Sequence, residues 1–430
     1  MSPDDLIRKW GFISNPFEPC SAEAERRLGD SVRKQLFVEP PYYKDIVGNP
    51  VSPLSSIVFG MRGEGKSTIC NMVQLELQKN PENKVLLVPY DDFSEFDEAK
   101  IQHLSLEDHI KRILQLAVKK FVAECRKDAR IMQMLDATAQ ADLQWFVLRF
   151  LPAADYSEAE QRLVDLFDSA SEGAGRHGLK GKRFRRIASY LRRKKFEFQS
   201  LREPQTMTVQ IIKALLTFLA PPVPGEHELW NATMLQLVDK FRNLAVSGGF
   251  ASVQVFIDKV DENEVYSGNF GLVSDLILPI ITSLDYLEVE RFATKFFLPA
   301  ETRQILGNRI RTDRILTRNI SWSQEALKTM LRNRLLSFSE NKIGSMESFV
   351  ASAVWKDFEN KLLHYAAFSP RNMLRIIAHV VTETCELSRD PTEISPDAIE
   401  SGIRQFLLIR TSEEDGSEYQ KRLAVSSTPS

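Results

Sequence analysis

The sequence predicts an α/β protein with a parallel sheet, a large helical insertion and a C-terminal all-helical region. A short apolar run at residues 55–59 is followed by a glycine-rich turn, a helical pattern at 66–77 and a second apolar run at 85–88. Two further apolar runs, at 253–257 and 293–298, have the length of buried strands. Strands that alternate with helices are typical of parallel sheets, and nearly continuous apolar strands are expected where both faces of a sheet are covered.

Composition places the chain among ordinary globular proteins. Of its 430 residues, 43% are hydrophobic and 27% are charged, which excludes a disordered or fibrous chain. The formal net charge of −2 excludes a globally basic nucleic-acid coat. No apolar run approaches the roughly 20 residues that span a bilayer, and the N-terminus lacks the apolar segment of a secretory signal. The four cysteines are far apart in the sequence. We therefore expect a cytoplasmic protein that does not enter a membrane.

Changes in pattern divide the chain into regions. Residues 1–47 mix proline, aromatic and charged residues and are expected to form an extended segment that packs on the core, with one helix at 22–36. Residues 48–300 form the predicted α/β core. Apolar residues at three- and four-residue spacing predict a helical insertion within it, at about 104–220. Residues 301–410 are predicted to be an all-helical domain. The polar residues 411–430 are predicted to be a flexible tail.

The glycine-rich turn fits the pattern G-x-x-x-x-G-K-[ST] at every fixed position, from Gly60 to Ser67. Glycines allow the backbone to wrap closely around a phosphate and to direct its N–H groups inward, and the following helix adds its positive N-terminal end. Lys66 is expected to reach the β- and γ-phosphates, and Ser67 to offer its hydroxyl to Mg²⁺. The residues expected to contact the nucleotide in this segment are Gly60, Gly63, Glu64, Gly65, Lys66, Ser67 and Thr68.

An acidic cluster follows the apolar run 253–257. A phosphate-binding loop needs an acid on a neighbouring strand to organise its metal, and Asp258 has the expected position at the end of a strand. Asp261 and Glu262 come just after it, and either could act as the general base that orients the attacking water. Glu262 is the preferred candidate and Asp261 the alternative.

This set of motifs resembles the AAA+/STAND superfamily of P-loop ATPases. Residues 258–262 resemble the STAND pattern Asp-Gly-x-Asp-Glu, with Lys259 in place of the small residue. Residues 369–371, Ser-Pro-Arg, are similar to the "sensor 2" signature Gly-x-Pro-Arg at the start of a lid helix. The resemblance implies a P-loop NTPase fold with a C-terminal lid, binding of ATP and Mg²⁺, and a role for Arg371 in sensing the γ-phosphate.

Weaker similarities point to a bacterial group of P-loop ATPases often found in defence and mobile-element loci. They lie in four short segments, residues 15–17, 295–299, 320–322 and 331–335. The leading hypothesis is therefore an ATP-hydrolysing switch that forms oligomers or recruits a partner protein, in a setting such as antiviral defence. The alternatives are an ATPase that loads nucleic acid or regulates transposition, and a nucleotide-binding scaffold that does not hydrolyse ATP.

Two sets of basic residues allow more than one interpretation. Residues 176–195, which begin with Arg176 and end with Lys195, contain ten Lys or Arg and no Asp or Glu. Such a run is suited to phosphate backbones, but a solvated helix face that meets acidic partners is the alternative. Three arginines follow the run 293–298, and one of them could act as an arginine finger across a subunit interface, with ordinary surface charge as the alternative. These are Arg309, Arg311 and Arg314.

Overall fold

Five parallel strands form the centre of the computed structural model, which describes residues 1–18, 21–151, 232–412 and 416–426. The strands are β1 (Ser56–Gly60), β2 (Val85–Tyr90), β3 (Ser252–Ile257), β4 (Phe292–Pro299) and β5 (Leu316–Asn319). Their order across the sheet is β2-β3-β4-β1-β5, and every neighbouring pair is parallel. All residues of β1, β3 and β4 are buried. The predicted α/β class and parallel sheet are confirmed.

Helices precede, connect and follow the strands. In the described N-terminal half they are α1 (Pro3–Lys9), α2 (Ala22–Glu25), α3 (Asp30–Leu36), α4 (Tyr43–Val47), α5 (Lys66–Gln78), α6 (Glu98–Ile101), α7 (Leu106–Lys127), α8 (Arg130–Met134) and α9 (Ala137–Phe150). In the C-terminal half they are α10 (Met234–Ser247), α11 (Phe270–Ile281), α12 (Leu284–Leu287), α13 (Ala300–Leu306), α14 (Gln324–Phe338), α15 (Ser352–Ala366), α16 (Pro370–Leu387), α17 (Pro396–Ser412) and α18 (Gly416–Ser426). None of the helices in these ranges is long and apolar enough to cross a membrane.

The two faces of the sheet carry separate apolar cores. Alternate residues of a strand point to opposite faces, so Ile57 and Phe59 of β1 join one core while Val58 joins the other. The first core contains α7, α9, α10, α11 and α13, and the second contains α4 and α5. The sheet is thus covered on both sides, which explains why its central strands are apolar on both faces.

The strand order places a crevice at one edge of the sheet. The chain leaves β1 through α5 and crosses β4 and β3 to reach β2, whereas it leaves β4 through α13 and crosses β1 to reach β5. These two connections lie on opposite faces. Ligands in open α/β sheets bind at such a switch point, outside the carboxyl ends of the strands.

A third apolar core contains residues of α14, α15, α16 and α17 together with residues of the N-terminal helix α1. Helices α16 and α17 approach closely, since a Cβ on Gly402 would lie 2.6 Å from the Cα of Val380. This region corresponds to the predicted C-terminal helical domain, but it begins after β5. The N-terminal segment packs on it as well as on the α/β core, because Phe17 is fully buried in this third core and Tyr43 in the core around α5.

Four predictions differ from the structure. Residues 316–319, predicted to be helical, form the edge strand β5. The segment 22–36, predicted as one helix, is divided by a 3-10 turn and by Gly29, whose φ is +80°. The described part of the predicted insertion is helical, but α7 and α9 pack into the main core. Part of the predicted flexible tail forms α18, in which Tyr419 is buried.

Candidate functional site

The glycine-rich loop connects β1 to α5 at the carboxyl edge of the sheet. Gly63 and Gly65 have φ values of +85° and +98°, which favour glycine, and Gly65 immediately precedes the first residue of α5. The loop therefore leads directly into the N-terminus of this 13-residue helix. Successive backbone N–H groups and the positive end of a helix dipole together favour an anion at this position.

Close contacts join this loop to the elements around it. A Cβ on Gly60 would lie 2.7 Å from the Cδ1 of Ile320, just after β5. A Cβ on Gly63 would lie 3.1 Å from the Cβ of Arg371 and 3.2 Å from the Oγ of Ser369, at the start of α16. A side chain at Gly63 would therefore require its neighbours in the helical region to shift by a few tenths of an ångström.

Lys66 and Glu64 have partners within or beside the loop. The Lys66 Nζ donates a hydrogen bond to the Gly60 carbonyl at 2.9 Å, and the Lys66 residue is 8% exposed. One oxygen of the Glu64 carboxylate accepts a hydrogen bond from the Met61 N–H at 2.7 Å. The Glu64 carbonyl accepts another from the Trp322 Nε1 at 2.9 Å. These bonds hold the loop backbone at Gly60, Met61 and Glu64.

Asp258 lies at the end of β3 and is 4% exposed. Burial raises its pKa to about 6, although a hydrogen bond from Ser67 and the charge of Lys66 act in the opposite direction. No described residue forms a hydrogen bond with its Oδ1. A buried carboxylate oxygen without a partner is costly unless a cation or a donor meets it. Asp258 and Ser67 together therefore fit a Mg²⁺ ion, which binds one or two carboxylates and a ligand's phosphates.

The strand that carries Asp258 is not the direct neighbour of β1, contrary to the sequence prediction. β4 lies between β1 and β3. Asp258 still reaches Ser67, because the carboxyl ends of β1, β4 and β3 lie along the same edge of the sheet.

The residues after Asp258 form a tight turn. Lys259 has a φ of +62°, a conformation that favours glycine, and its carbonyl accepts the Glu262 N–H at 3.2 Å. Asp261 and Glu262 both line the same cavity as Asp258, so the geometry leaves the choice between them open. The charge of Glu262 is close enough to contribute to the raised pKa of Asp258, after the larger effect of burial.

Arg371 lies in the first turn of α16. Ser369 caps this helix by accepting the Asn372 N–H, and Pro370 occupies its first position. Ala367 and Phe368, just before the cap, have φ values of +47° and +61°. The sensor 2 pattern has glycine at the position of Phe368, and the STAND pattern has glycine at the position of Lys259. Both residues adopt a positive φ, a conformation that favours glycine.

A cavity of about 520 Å³ lies between the glycine-rich loop, the acids after β3 and the start of α16. This volume is in the range of pockets that bind small molecules and cofactors. Its polar end is lined by the glycine-rich loop together with Ser67, Thr68 and the three acids, and Arg371 also lines it. The rest of the lining comes from the N-terminal segment, from α5 and from the helical region, and it combines charged residues such as Glu25, Arg33 and Arg334 with apolar walls. The residues of these walls include Val38, Pro40, Tyr42, Met330 and Leu374.

The N-terminal contribution to the cavity was not predicted from the sequence. Arg334, which is 3% exposed, is one of the residues that join this segment to α14. The Arg334 guanidinium donates to the Pro16 carbonyl and pairs with Glu25 at 2.6 Å. The two weakly similar segments around residues 16 and 334 are thus in direct contact.

Two other sequence hypotheses have different outcomes. The basic run 176–195 lies outside the described residues. Each of the three candidate finger arginines has a partner in its own chain: Arg309 donates to the Ile305 carbonyl, Arg311 pairs with Asp313, and Arg314 pairs with Glu288. These contacts agree with ordinary surface charge.

Comparison with known proteins does not identify a family. No protein-family model matches the chain, and no curated protein is significantly similar to it. The functional assignment therefore rests on the geometry of the site.

Proposed function

We propose that the protein is an ATP-binding and ATP-hydrolysing switch of the AAA+/STAND type. The observation that carries this proposal is the convergence, in one cavity, of the glycine-rich loop, the buried Asp258 with its unpartnered oxygen, and Arg371 from the helical region. These elements are distant in sequence, and a glycine-rich turn of purely structural origin gives no reason for them to meet.

The loop would bind the triphosphate of the nucleotide. Backbone N–H groups around Gly63 and Gly65 and the N-terminus of α5 supply positive partial charge without mobile side chains. The Lys66 ammonium, which donates to the Gly60 carbonyl, would transfer to the β- and γ-phosphates. The apolar walls formed by Val38 and Leu374 would enclose the base.

Ser67 and Asp258 would hold Mg²⁺, which when bound neutralises phosphate charge that develops during phosphoryl transfer. Glu262, or alternatively Asp261, would accept a proton from water and orient it. Arg371, whose side chain begins against Gly63, would stabilise the γ-phosphate and connect its presence to the position of the helical region. Closure of that region would change the surface offered to a second subunit or to a partner protein.

Replacement of Lys66 tests the proposal directly. Lys66→Ala should abolish ATP binding or phosphate release, because it removes the ammonium that would compensate the phosphate charge. The matched control is Lys79→Ala, which removes a more exposed lysine just after the other end of α5 that pairs with Glu76. Wild-type binding and turnover in Lys66→Ala would refute the proposed site, and equal losses in both variants would indicate a general effect on α5.

A further inference from the structure

The C-terminal helix α18 is fixed on the helical region. Tyr419 is 2% exposed, and its hydroxyl donates to the Tyr365 carbonyl at 2.9 Å. Leu423 packs against the third apolar core, and the Ser426 hydroxyl lies 3.2 Å from the Nδ1 of His364. The helix is therefore anchored to the helical region at Tyr419, Leu423 and Ser426.

One of these side chains reaches the glycine-rich loop. The Arg422 guanidinium pairs with a Glu64 oxygen at 2.7 Å, and the two side chains are 19% and 5% exposed. The other Glu64 oxygen accepts the Met61 N–H. Arg422 thus connects the C-terminal helix to the loop backbone through a single carboxylate. Exposed ion pairs contribute little, but this pair includes a carboxylate that is almost completely removed from water.

The position of Glu64 explains why such a partner is needed. Its negative charge lies within a loop that would bind a highly charged phosphate chain, and like charges at short distance repel strongly in a poorly solvated site. A guanidinium on the carboxylate cancels this charge and also fixes its orientation toward Met61. Trp322 holds the Glu64 carbonyl from another side. Without Arg422, the carboxylate would remain buried and uncompensated.

We propose that Arg422 is a positioning residue of the nucleotide site, which acts through Glu64 to keep the glycine-rich loop ready for phosphate. This inference rests on the proposed function. It adds to the site a residue, Arg422, that lies 358 positions after its partner Glu64 in the sequence. It also makes α18 part of the nucleotide site, so that displacement of this helix would lower the affinity for ATP.

A double-mutant cycle on ATP affinity tests this proposal. The variants are Arg422→Ala, Glu64→Gln and the combination of both, measured by titration with a fluorescent ATP analogue and by steady-state phosphate release. Glu64→Gln keeps an oxygen that can accept the Met61 N–H but removes the charge. Arg422→Ala alone should weaken binding about tenfold and raise KM, with kcat within about twofold of wild type. In the Glu64→Gln background the same substitution should change affinity by less than about twofold.

Two further variants separate positioning from a general structural role. Arg422→Lys should recover part of the lost affinity, because it restores a positive charge near Glu64 but not the geometry of the guanidinium. Gln420→Ala, on an exposed position of the same helix, should behave like wild type. Equal weakening by Arg422→Ala in both backgrounds, or no weakening in either, would overturn the proposal. Failure of the wild type itself to bind ATP would refute the proposed function and this inference with it, so the two failures are distinguishable.

Discussion

Replacement of Asp258 by asparagine should stabilise the protein without nucleotide while it weakens binding of Mg²⁺ and ATP. Burial raises the pKa of Asp258 to about 6 from an ordinary value of 3.8. An increase of about two in the pKa corresponds to a free energy of about 3 kcal/mol. Folding therefore disfavours the ionised carboxylate of Asp258 by about this amount. Asparagine has no charge to desolvate and still offers an oxygen to Ser67. The variant should therefore gain up to about 3 kcal/mol of stability at pH 8.

The pH dependence gives this prediction a second signature. Because the pKa is higher in the folded state, the folded protein binds more protons than the unfolded chain between about pH 4 and pH 6. The contribution of Asp258 to stability therefore falls as pH rises through this window and stays low above it. The advantage of Asp258→Asn should be about half as large at pH 5 as at pH 8.

Thermal unfolding without Mg²⁺ and nucleotide, at pH 5 and pH 8, measures both effects. Asp275→Asn, at an exposed position of α11, controls for the loss of one negative charge. When Mg²⁺ and ATP are added, the wild type should become more stable than Asp258→Asn, since a ligand that binds only the folded state stabilises it according to its affinity. An Asp258→Asn variant that is no more stable than wild type at pH 8 would show that burial of the ionised Asp258 carboxylate is not costly, and so would a stability difference that is independent of pH.

Three other predictions concern the acids, the helical region and the basic run. Glu262→Gln should bind ATP normally but release phosphate slowly, while Asp261→Asn should turn over normally; the opposite result would identify Asp261 as the base. Arg371→Ala should keep the fold but lose ATP-dependent protection from limited proteolysis, and unchanged protection would exclude Arg371 from the coupling. Neutralising the four basic residues 192–195 should weaken DNA or RNA binding for all sequences and make the log–log salt slope shallower by about 0.7–0.9 per lost contact. A wild type without salt-dependent binding would leave this run as a solvated face or a protein-docking surface.

The parts of the fold that were predictable have local causes. β1 to β4 are mostly apolar on both faces and end at or just before glycine, proline or acidic residues, so their sequence alone indicates their approximate bounds. β5 lacks this signature. It has four residues, lies at the edge of the sheet, and its residues are only half-buried or exposed, so the pattern of Leu316 to Asn319 was indistinguishable from a helix or a loop.

The candidate site also has residues that were predictable from the sequence and residues that were not. The glycine-rich loop and the acids after β3 were predictable because their chemistry requires particular residues at short spacing. The contact of Arg422 with Glu64 and the contribution of Val38 and Tyr42 to the cavity depend on packing between segments that are distant in sequence. Helix α18 is mostly polar and buries Tyr419 on a surface formed by other helices, so its sequence alone resembles a flexible tail.

The proposed function requires that the cavity beside the glycine-rich loop binds a nucleoside triphosphate together with Mg²⁺. The most direct measurement is a calorimetric titration of the wild-type protein with ATP, with and without Mg²⁺. We expect one site per chain, tighter binding when Mg²⁺ is present, and loss of this Mg²⁺ dependence in Asp258→Asn. Absence of ATP binding by the wild type, or binding that Lys66→Ala leaves unchanged, would contradict the proposed function.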